Sequence, residues 1–390
     1  MKYRKMPKIE DEISLLGYGC MRFPRKNGII DKKRTEKQII EAINNGINYF
    51  DTAYLYYGSE ETLGEILSQG YRDKVKIATK IPGPKIKKYE DFSEIFEKQL
   101  KMLKTDYLDN ILIHSLASFE EWNYLKDIGV LDFFKLEKDK GRIINIGFSY
   151  HGNIKNFKKI IDDYDWDFCM VQYNYIDDKY QAGSEGINYA ASKNIGVIAM
   201  EPLRGGLLVN QIPNEAKKII ENYKIKRSPA EWAFRWAADN PNVQVVLSGM
   251  NEEKDIEENI KIFSDITPNS LTDDDKQMLE SVKKEIHKKI KVQCTSCGYC
   301  LPCPKNVDIP TSFTCYNDKS LFGGLSPAIN YFNATSYDNS AASNCTRCGA
   351  CEKKCPQNIP IMDELENVKK EFEKWYLKIA YKLGIKFLFR

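Results

Sequence analysis

Eight short apolar runs recur between residues 15 and 265, each followed by a longer stretch with helical spacing. They are LLGYG near 15, INYFDTA from 47, KVKIATK from 74, DNILIHS from 109, RIINIGFS from 142, FCMVQYN from 168, GVIAMEP from 196 and VQVVLSG from 243. Segments between them, such as Arg34–Asn45, Glu60–Leu67 and Phe92–Leu103, repeat apolar residues three and four positions apart. Near-continuous apolar strands alternating with amphipathic helices are the pattern of parallel βα units buried on both faces. Eight such units close a barrel. An open doubly wound sheet would want a Gly-rich phosphate turn after its first strand. The candidate, Gly17-Tyr18-Gly19-Cys20-Met21-Arg22, lacks the third glycine and runs into Pro24 and Asn27-Gly28 instead of a helix. The predicted class is α/β, a (β/α)8 barrel.

A polar bridge, ITPNSLTDDDKQ at 266–277, leads into a helix predicted to end around Lys291, and the chemistry then changes. Eight of the eleven cysteines follow in two ladders, Cys294-x2-Cys297-x2-Cys300-x2-Cys303-Pro304 and Cys345-x2-Cys348-x2-Cys351-x3-Cys355-Pro356. Two [4Fe–4S] clusters require eight thiolates. Three closely spaced sulfurs converge on one cube, while the fourth, beside proline, is turned toward the other. On that rule Cys294, Cys297, Cys300 and Cys355 hold one cluster, and Cys345, Cys348, Cys351 and Cys303 the other. The first ladder is one residue short before its fourth cysteine. Zinc is the competing ligand, since paired CxxC motifs also bind it, but it explains neither the third CxxC step nor the Cys-Pro endings. Thr311–Lys319 and Pro327–Phe332 have helical character, so this part is expected to be a mainly α-helical ferredoxin-like domain. The expected division is 1–290 for the barrel and 291–390 for the cluster domain. Cys20, Cys169 and Cys315 stand outside the ladders as buried or spare thiols, with Cys20 placed to face the pocket.

The formal net charge is only +3, from 58 basic and 55 acidic residues, which gives no support to nucleic-acid binding. The start, MKYRKMPKIEDEIS, lacks the apolar core of a signal peptide, and no apolar stretch reaches membrane-spanning length. A reducing, cytoplasmic setting is expected, with thiols available for metal. The last residues, KKEFEKWYLKIAYKLGIKFLFR, place Lys370, Lys374, Lys378, Lys382 and Lys386 at every fourth position among apolar and aromatic residues. Read as a helix, this is first a final helix packed on its own protein, with membrane-surface contact or docking of a redox partner as the alternatives.

In a βα barrel, chemistry sits at the C-terminal ends of the strands. Those ends carry Asp51 and, five residues on, Tyr56, then Lys80, His114, Ser149 and Gln172. Each alone has a bland reading as a cap or a solvated side chain. Together they suit proton donation to a carbonyl. A phenol of ordinary pKa about 10 is a poor acid at neutral pH. An adjacent Lys80 ammonium is expected to lower it, and Asp51 to hold Lys80 through a charge-assisted hydrogen bond. His114 can orient the substrate oxygen. The set fits hydride transfer to an aldehyde or ketone, with Tyr56 protonating the developing alkoxide.

Over about residues 3–265 the sequence resembles the aldo-keto reductase family. The matching pieces are SLLGYGCMRFP, Asp51-Thr52-Ala53-x2-Tyr56, Lys80 in IATK, His114 in LIHS, then GFSY, VQYN, EPLRGGLL and Glu258-Asn259 in order. With the cysteine ladders it is similar to the subgroup carrying a C-terminal ferredoxin domain. The resemblance implies a catalytic tetrad of Asp51, Tyr56, Lys80 and His114. It implies that Ser149 and Gln172 hold the nicotinamide carboxamide, and that a loop from Pro202 through Leu203, Arg204 and Gly205 to Leu207 passes the pyrophosphate. Ser248 and Gly249 lie on the same path, and Glu258 and Asn259 approach the adenine. Where the family often has a basic residue to grip the 2′-phosphate of NADP, this chain has Asp255, and Gly249 replaces another frequent lysine. Tyr150-His151 stands where an asparagine is usual, so His151 is a candidate for the amide contact.

The cofactor expected is NAD(P)H. Hydride carries two electrons and each cluster one, so FMN in the barrel's phosphate site is a second expectation, resting on electron counting. The expected activity is an oxidoreductase that reduces a carbonyl, or oxidises the alcohol, and whose clusters exchange electrons with an external carrier such as a ferredoxin. A redox-sensing subunit without turnover is the non-enzymatic alternative.

Overall fold

The computed structural model describes residues 1–210, 212–294, 298, 300–336, 339–355 and 358–388. Eight strands form the closed barrel: Leu16–Gly19, Tyr49–Asp51, Lys76–Pro82, Leu108–Leu116, Ile143–Tyr150, Phe168–Gln172, Gly196–Met200 and Val245–Ser248. Each falls on one of the eight apolar runs. Every neighbouring pair is parallel, and the ring closes where the eighth strand meets the first, Leu247 opposite Gly17 and Ser248 opposite Tyr18. The strands are buried almost throughout because helices cover their outer faces, which is why they read as continuous apolar runs and not as alternating ones.

The helices obey the same logic. Tyr89–Leu103 buries Phe92, Phe96, Leu100 and Leu103, one face of a 3.6-residue period. The helix Ser59–Leu67 lies so close to it that a Cβ on Gly64 would come within 2.2 Å of the Met102 carbonyl oxygen, so no larger residue fits there. Between the fourth and fifth strands the chain makes two helices, Phe119–Ile128 and Val130–Asp139, broken at Gly129 with φ 103°.

The N-terminal end of the barrel is shut by an antiparallel hairpin, Tyr3–Met6 with Ile9–Ser14. Its Met6, Ile9 and Ile13 are buried against inward side chains such as Tyr49, Leu112 and Met170. The opposite end therefore holds the accessible interior.

The chain divides into two compact units, residues 1–205 with 228–272, and 206–227 with 273–390. In the second, helix Asn214–Asn222 packs on Asp273–His287, with Tyr223 donating to Asp275 Oδ1 at 2.9 Å. Helices Ile309–Phe322, Ser326–Ser336, Ile361–Phe372 and Trp375–Leu388 make up most of the rest. Their shared core includes Phe313, Tyr331, Leu365, Val368 and Phe372. The expected helices at Thr311–Lys319 and Pro327–Phe332 lie within two of these.

Candidate active site

The strand register brings three of the predicted tetrad to one end of the barrel. Asp51 ends the second strand opposite Ala78, two residues before Lys80, and Pro82 of the third strand lies opposite His114 of the fourth. Tyr56 follows in a tight loop: its N–H donates to the Ala53 carbonyl, and Ser59 N–H donates to its own carbonyl, both at 2.9 Å. Gly58, with φ 74°, supplies the left-handed turn that starts the next helix. Two turns back to back hold the tyrosine in place.

Lys80 is the centre of the polar geometry. Only 1% exposed, it donates from Nζ to Asp51 Oδ1 at 2.5 Å and to the Thr52 carbonyl at 2.7 Å. Its Nζ also stands 5.1 Å from the centre of the Tyr56 ring. Two of the ammonium's three protons are fixed by these acceptors, which leaves the third for the phenol. Burial alone would push Lys80 down, but Asp51 and Tyr56 outweigh it and hold it charged, above its ordinary value. Asp51 is buried, and its Oδ2 has no hydrogen-bond partner. Burial lifts its carboxyl despite the neighbouring ammonium.

The phenol corrects one expectation. Lys80 does pull the Tyr56 pKa down, but burial pushes it up by more and Asp51 adds to the rise, so the net direction is above the ordinary tyrosine value. His114 meets Tyr56 edge to face, with ring centroids 5.9 Å apart. Burial, then the charges of Lys80 and His151, lower its pKa to about 3, so it is a neutral imidazole.

The residues proposed for a nicotinamide line the same end. Ser149, buried, accepts a hydrogen bond from Ser115 N–H at 2.7 Å, which leaves its own O–H to donate. Gln172 donates to Asp177 Oδ2 at 2.8 Å and accepts from Gln181 at 3.3 Å, so both ends of its amide are engaged. Arg204 pairs with the same Asp177 at 3.1 Å. His151 is exposed. The loop after the seventh strand holds Pro202, Leu203, Arg204 and Gly205, with left-handed backbone at Glu201, Arg204, Gly205 and Gly206. Asn259 donates to Ser248 Oγ at 3.0 Å, and Glu258 accepts from Ser228 at 2.6 Å.

Three features escaped the sequence reading. Arg22 lies beside this loop: a Cβ on Gly205 would come within 2.9 Å of its guanidinium, and one on Gly249 within 3.6 Å of its side chain. Arg204 is therefore not alone as a cation at this cradle. Behind Lys80, Glu60 Oε1 accepts from Thr79 at 2.5 Å and from Gln99 at 2.8 Å, while Gln99 also donates to the Lys80 carbonyl at 3.2 Å. This buried network fixes the backbone that carries the lysine. Cys20, finally, is fully buried behind Asp51 and does not open onto the pocket.

Among the ladder cysteines, Cys351 is buried, and Cys294, Cys300, Cys303, Cys345 and Cys355 are partly buried against the core of the second unit. Cys348 is exposed, and Cys297 lies outside the described residues. Cys345 Sγ accepts the Arg347 N–H at 3.4 Å, a bond suited to a thiolate. Among the described residues no three potential ligands are drawn into a closed metal-holding group. The donor set, all soft sulfur on one apolar base, fits iron–sulfur clusters better than hard cations.

The aldo/keto reductase family model matches residues 15–284, and the 4Fe-4S dicluster domain model matches residues 293–360. A probable voltage-gated potassium channel subunit beta from Arabidopsis thaliana is 24% identical over 314 residues, 69% of this chain and 92% of that protein. The uncharacterized oxidoreductase YqkF of Bacillus subtilis is 25% identical over 334 residues, covering 74% and 99%. L-galactose dehydrogenase of Arabidopsis thaliana is 25% identical over 285 residues, covering 65% and 86%. In structure, the holo form of aldo-keto reductase AKR11C1 from Bacillus halodurans superimposes with a TM-score of 0.60 at 22% identity, over 72% of this chain and 96% of that one. The barrel is the same fold.

Proposed function

Because this chain belongs to the aldo/keto reductase family and is an oxidoreductase with a 4Fe-4S dicluster domain, we propose that it reduces a carbonyl compound in the barrel and exchanges electrons with an external carrier through its clusters. The observation that carries the first part is the buried Lys80 ammonium, which bonds Asp51 and Thr52 and stands 5.1 Å from the centre of the Tyr56 ring. Lys80 turns its third N–H toward the Tyr56 oxygen as a hydrogen-bond donor, so the phenol keeps its own proton for the substrate. Neutral His114 sits at the edge of the same ring and orients the carbonyl oxygen. As hydride reaches the carbonyl carbon, Tyr56 protonates the forming alkoxide and Lys80 steadies the phenolate left behind.

A bound nicotinamide would supply the hydride. Ser149 and His151 are proposed to hold its carboxamide, together with Gln172 once the latter's bond to Asp177 is exchanged. Arg204 and Arg22 offer charge to the pyrophosphate, and the glycines at 205 and 249 leave the room. Asp255 in place of a cation favours NADH, whose free ribose hydroxyl a carboxylate can accept from. Nothing in the matches supports a flavin, and the proposal rests on nicotinamide alone. The cluster ligands proposed are the eight ladder cysteines, with the domain division at residue 290, and a ferredoxin-type protein of the cytoplasm is the carrier.

The test uses anaerobically purified full-length protein with NADH or NADPH and a panel of aldehydes and ketones. Tyr56→Phe should lower kcat by about 10²–10⁴ while nucleotide binding stays unchanged. Similarity to a channel beta subunit keeps a regulatory role as the second reading. That reading gains if no carbonyl turns over and nucleotide still binds.

A further inference from the structure

The last helix, Trp375–Leu388, has two apolar sides and only one of them is covered. Leu377 and Tyr381 pack on the core of the second unit, Tyr381 stacking on Phe332 at 4.9 Å and donating to Asn333 at 2.8 Å. The other side is bare. Trp375 is 74% exposed, Tyr376 50%, Ile379 48% and Leu383 61%. At about 100° per residue these four fall within an arc of roughly 100°, so they form one face and not scattered exceptions. Single exposed apolar residues need no explanation, but a contiguous group with a tryptophan at its head does.

Charge says what covers it. Lys374 and Lys378 fall between the packed side and the bare side, on the flank of the apolar arc. From Lys374 to the last residue there are four lysines and one arginine, and no aspartate or glutamate; Glu373, just before them, pairs with Lys378 at 2.9 Å. Long cationic side chains flanking an apolar, aromatic face are built to lie in the headgroup layer, the stems along the acyl boundary and the ammonium groups at phosphate level. An acidic protein partner would engage the lysines but would leave the tryptophan face without a reason. Among the described residues no helix is long and apolar enough to cross a membrane, so the arrangement is one that lies on the surface.

We propose that the C-terminal helix is an interfacial anchor that seats this protein on an anionic lipid surface by its Trp375, Tyr376, Ile379 and Leu383 face. The inference stands independently of the carbonyl chemistry.

Sedimentation of the full-length protein with phosphatidylcholine vesicles, with and without phosphatidylglycerol, tests it. Binding is expected to the anionic vesicles and not to the neutral ones. Lys374→Gln, which spares the paired Lys378, should weaken it by about fivefold. The triple change Trp375→Ser, Ile379→Ser and Leu383→Ser should abolish it at any charge. Iron content and melting temperature equal to the parent show that both variants are folded. No sedimentation of the parent overturns the proposal, even if the helix binds an acidic protein carrier. So does a dimer that the serine variant dissolves, because the face would then be covered by a second copy.

Discussion

Lys80→Met puts the buried charge pair to a quantitative test. Nζ and Oδ1 lie 2.5 Å apart with both residues almost fully buried. Two unit charges at that distance attract by roughly 7 kcal/mol at an effective dielectric of about 20. Each ion has given up several kcal/mol of hydration to get there, so the pair adds little net stability. Removing one partner is another matter. Asp51 would remain buried, with Oδ2 already lacking a partner and Oδ1 losing its own. The expected loss is about 3–5 kcal/mol. For a unit of this size that lowers the melting temperature by about 6–20 °C. The double change Asp51→Asn with Lys80→Met removes both charges, and its melting temperature should return to within about 5 °C of the parent. Turnover should not return with it, staying down by about 10²–10⁴. Calorimetry of the anaerobic protein and steady-state assays give both readings. A single variant that melts with the parent, or a double variant as unstable as the single, would refute the argument that this pair is kept for chemistry at no net gain in stability.

Folded His114 has a pKa of about 3 against an ordinary 6.5. Below pH 6.5 the unfolded chain therefore binds a proton that the folded one refuses, and stability should fall as pH drops through that window. The slope is at most about 1.4 kcal/mol per pH unit, less for the partial exposure of the ring, and His114→Asn should flatten it in melting curves. For Tyr56 the sign differs: the protonated phenol is the active acid and its pKa lies above 10, so carbonyl reduction should stay level through neutral pH and decline only in alkali. A titrating limb near pH 7 that survives in His114→Asn would count against Tyr56 as the donor. In the second unit, Cys355→Ala should remove about half of the iron and sulfide, since one cubane loses its crossed ligand while the other keeps four. Loss of all or none of the iron would reject that assignment.

The eight strands were readable because each is buried on both faces, which leaves an unbroken apolar run in the sequence. The proposed tetrad stood out because Asp51, Lys80 and His114 are polar residues at the ends of such runs. Arg22 was not. Its place beside Gly205 and Gly249 follows from closure, which makes the first and eighth strands neighbours although more than two hundred residues part them. The Glu60, Thr79 and Gln99 network was hidden for a different reason: a glutamate in the first turn of a helix looks like a solvated cap, and only packing against Gly64's neighbour helix buries it. The hairpin that plugs the barrel was lost in a charged N-terminal stretch, where Met6, Ile9 and Ile13 are too few to stand out. The rise in the Tyr56 pKa could not be read at all, since composition supplies the neighbouring charges but not the burial that outweighs them.

That rise bears on the proposed reduction. Lys80 commits two protons to fixed acceptors, Asp51 Oδ1 and the Thr52 carbonyl, and stands 5.1 Å from the centre of the phenol ring. The hydroxyl has one proton of its own, and Lys80, which carries no acceptor while charged, cannot take it. It must point elsewhere, and the His114 ring stands edge to face on that residue. Burial then keeps the proton in place at neutral pH. A resting site with its acid loaded and its cation fixed suits the proposed reduction. The backbone supports this arrangement. Gln99 and Glu60 lock the strand at Lys80, and the turns on either side of Tyr56 lock the loop, so the two groups meet without rearrangement. Around them Leu55, Tyr57 and His151 are exposed and Tyr54 half-buried, so they can change without disturbing the buried lysine.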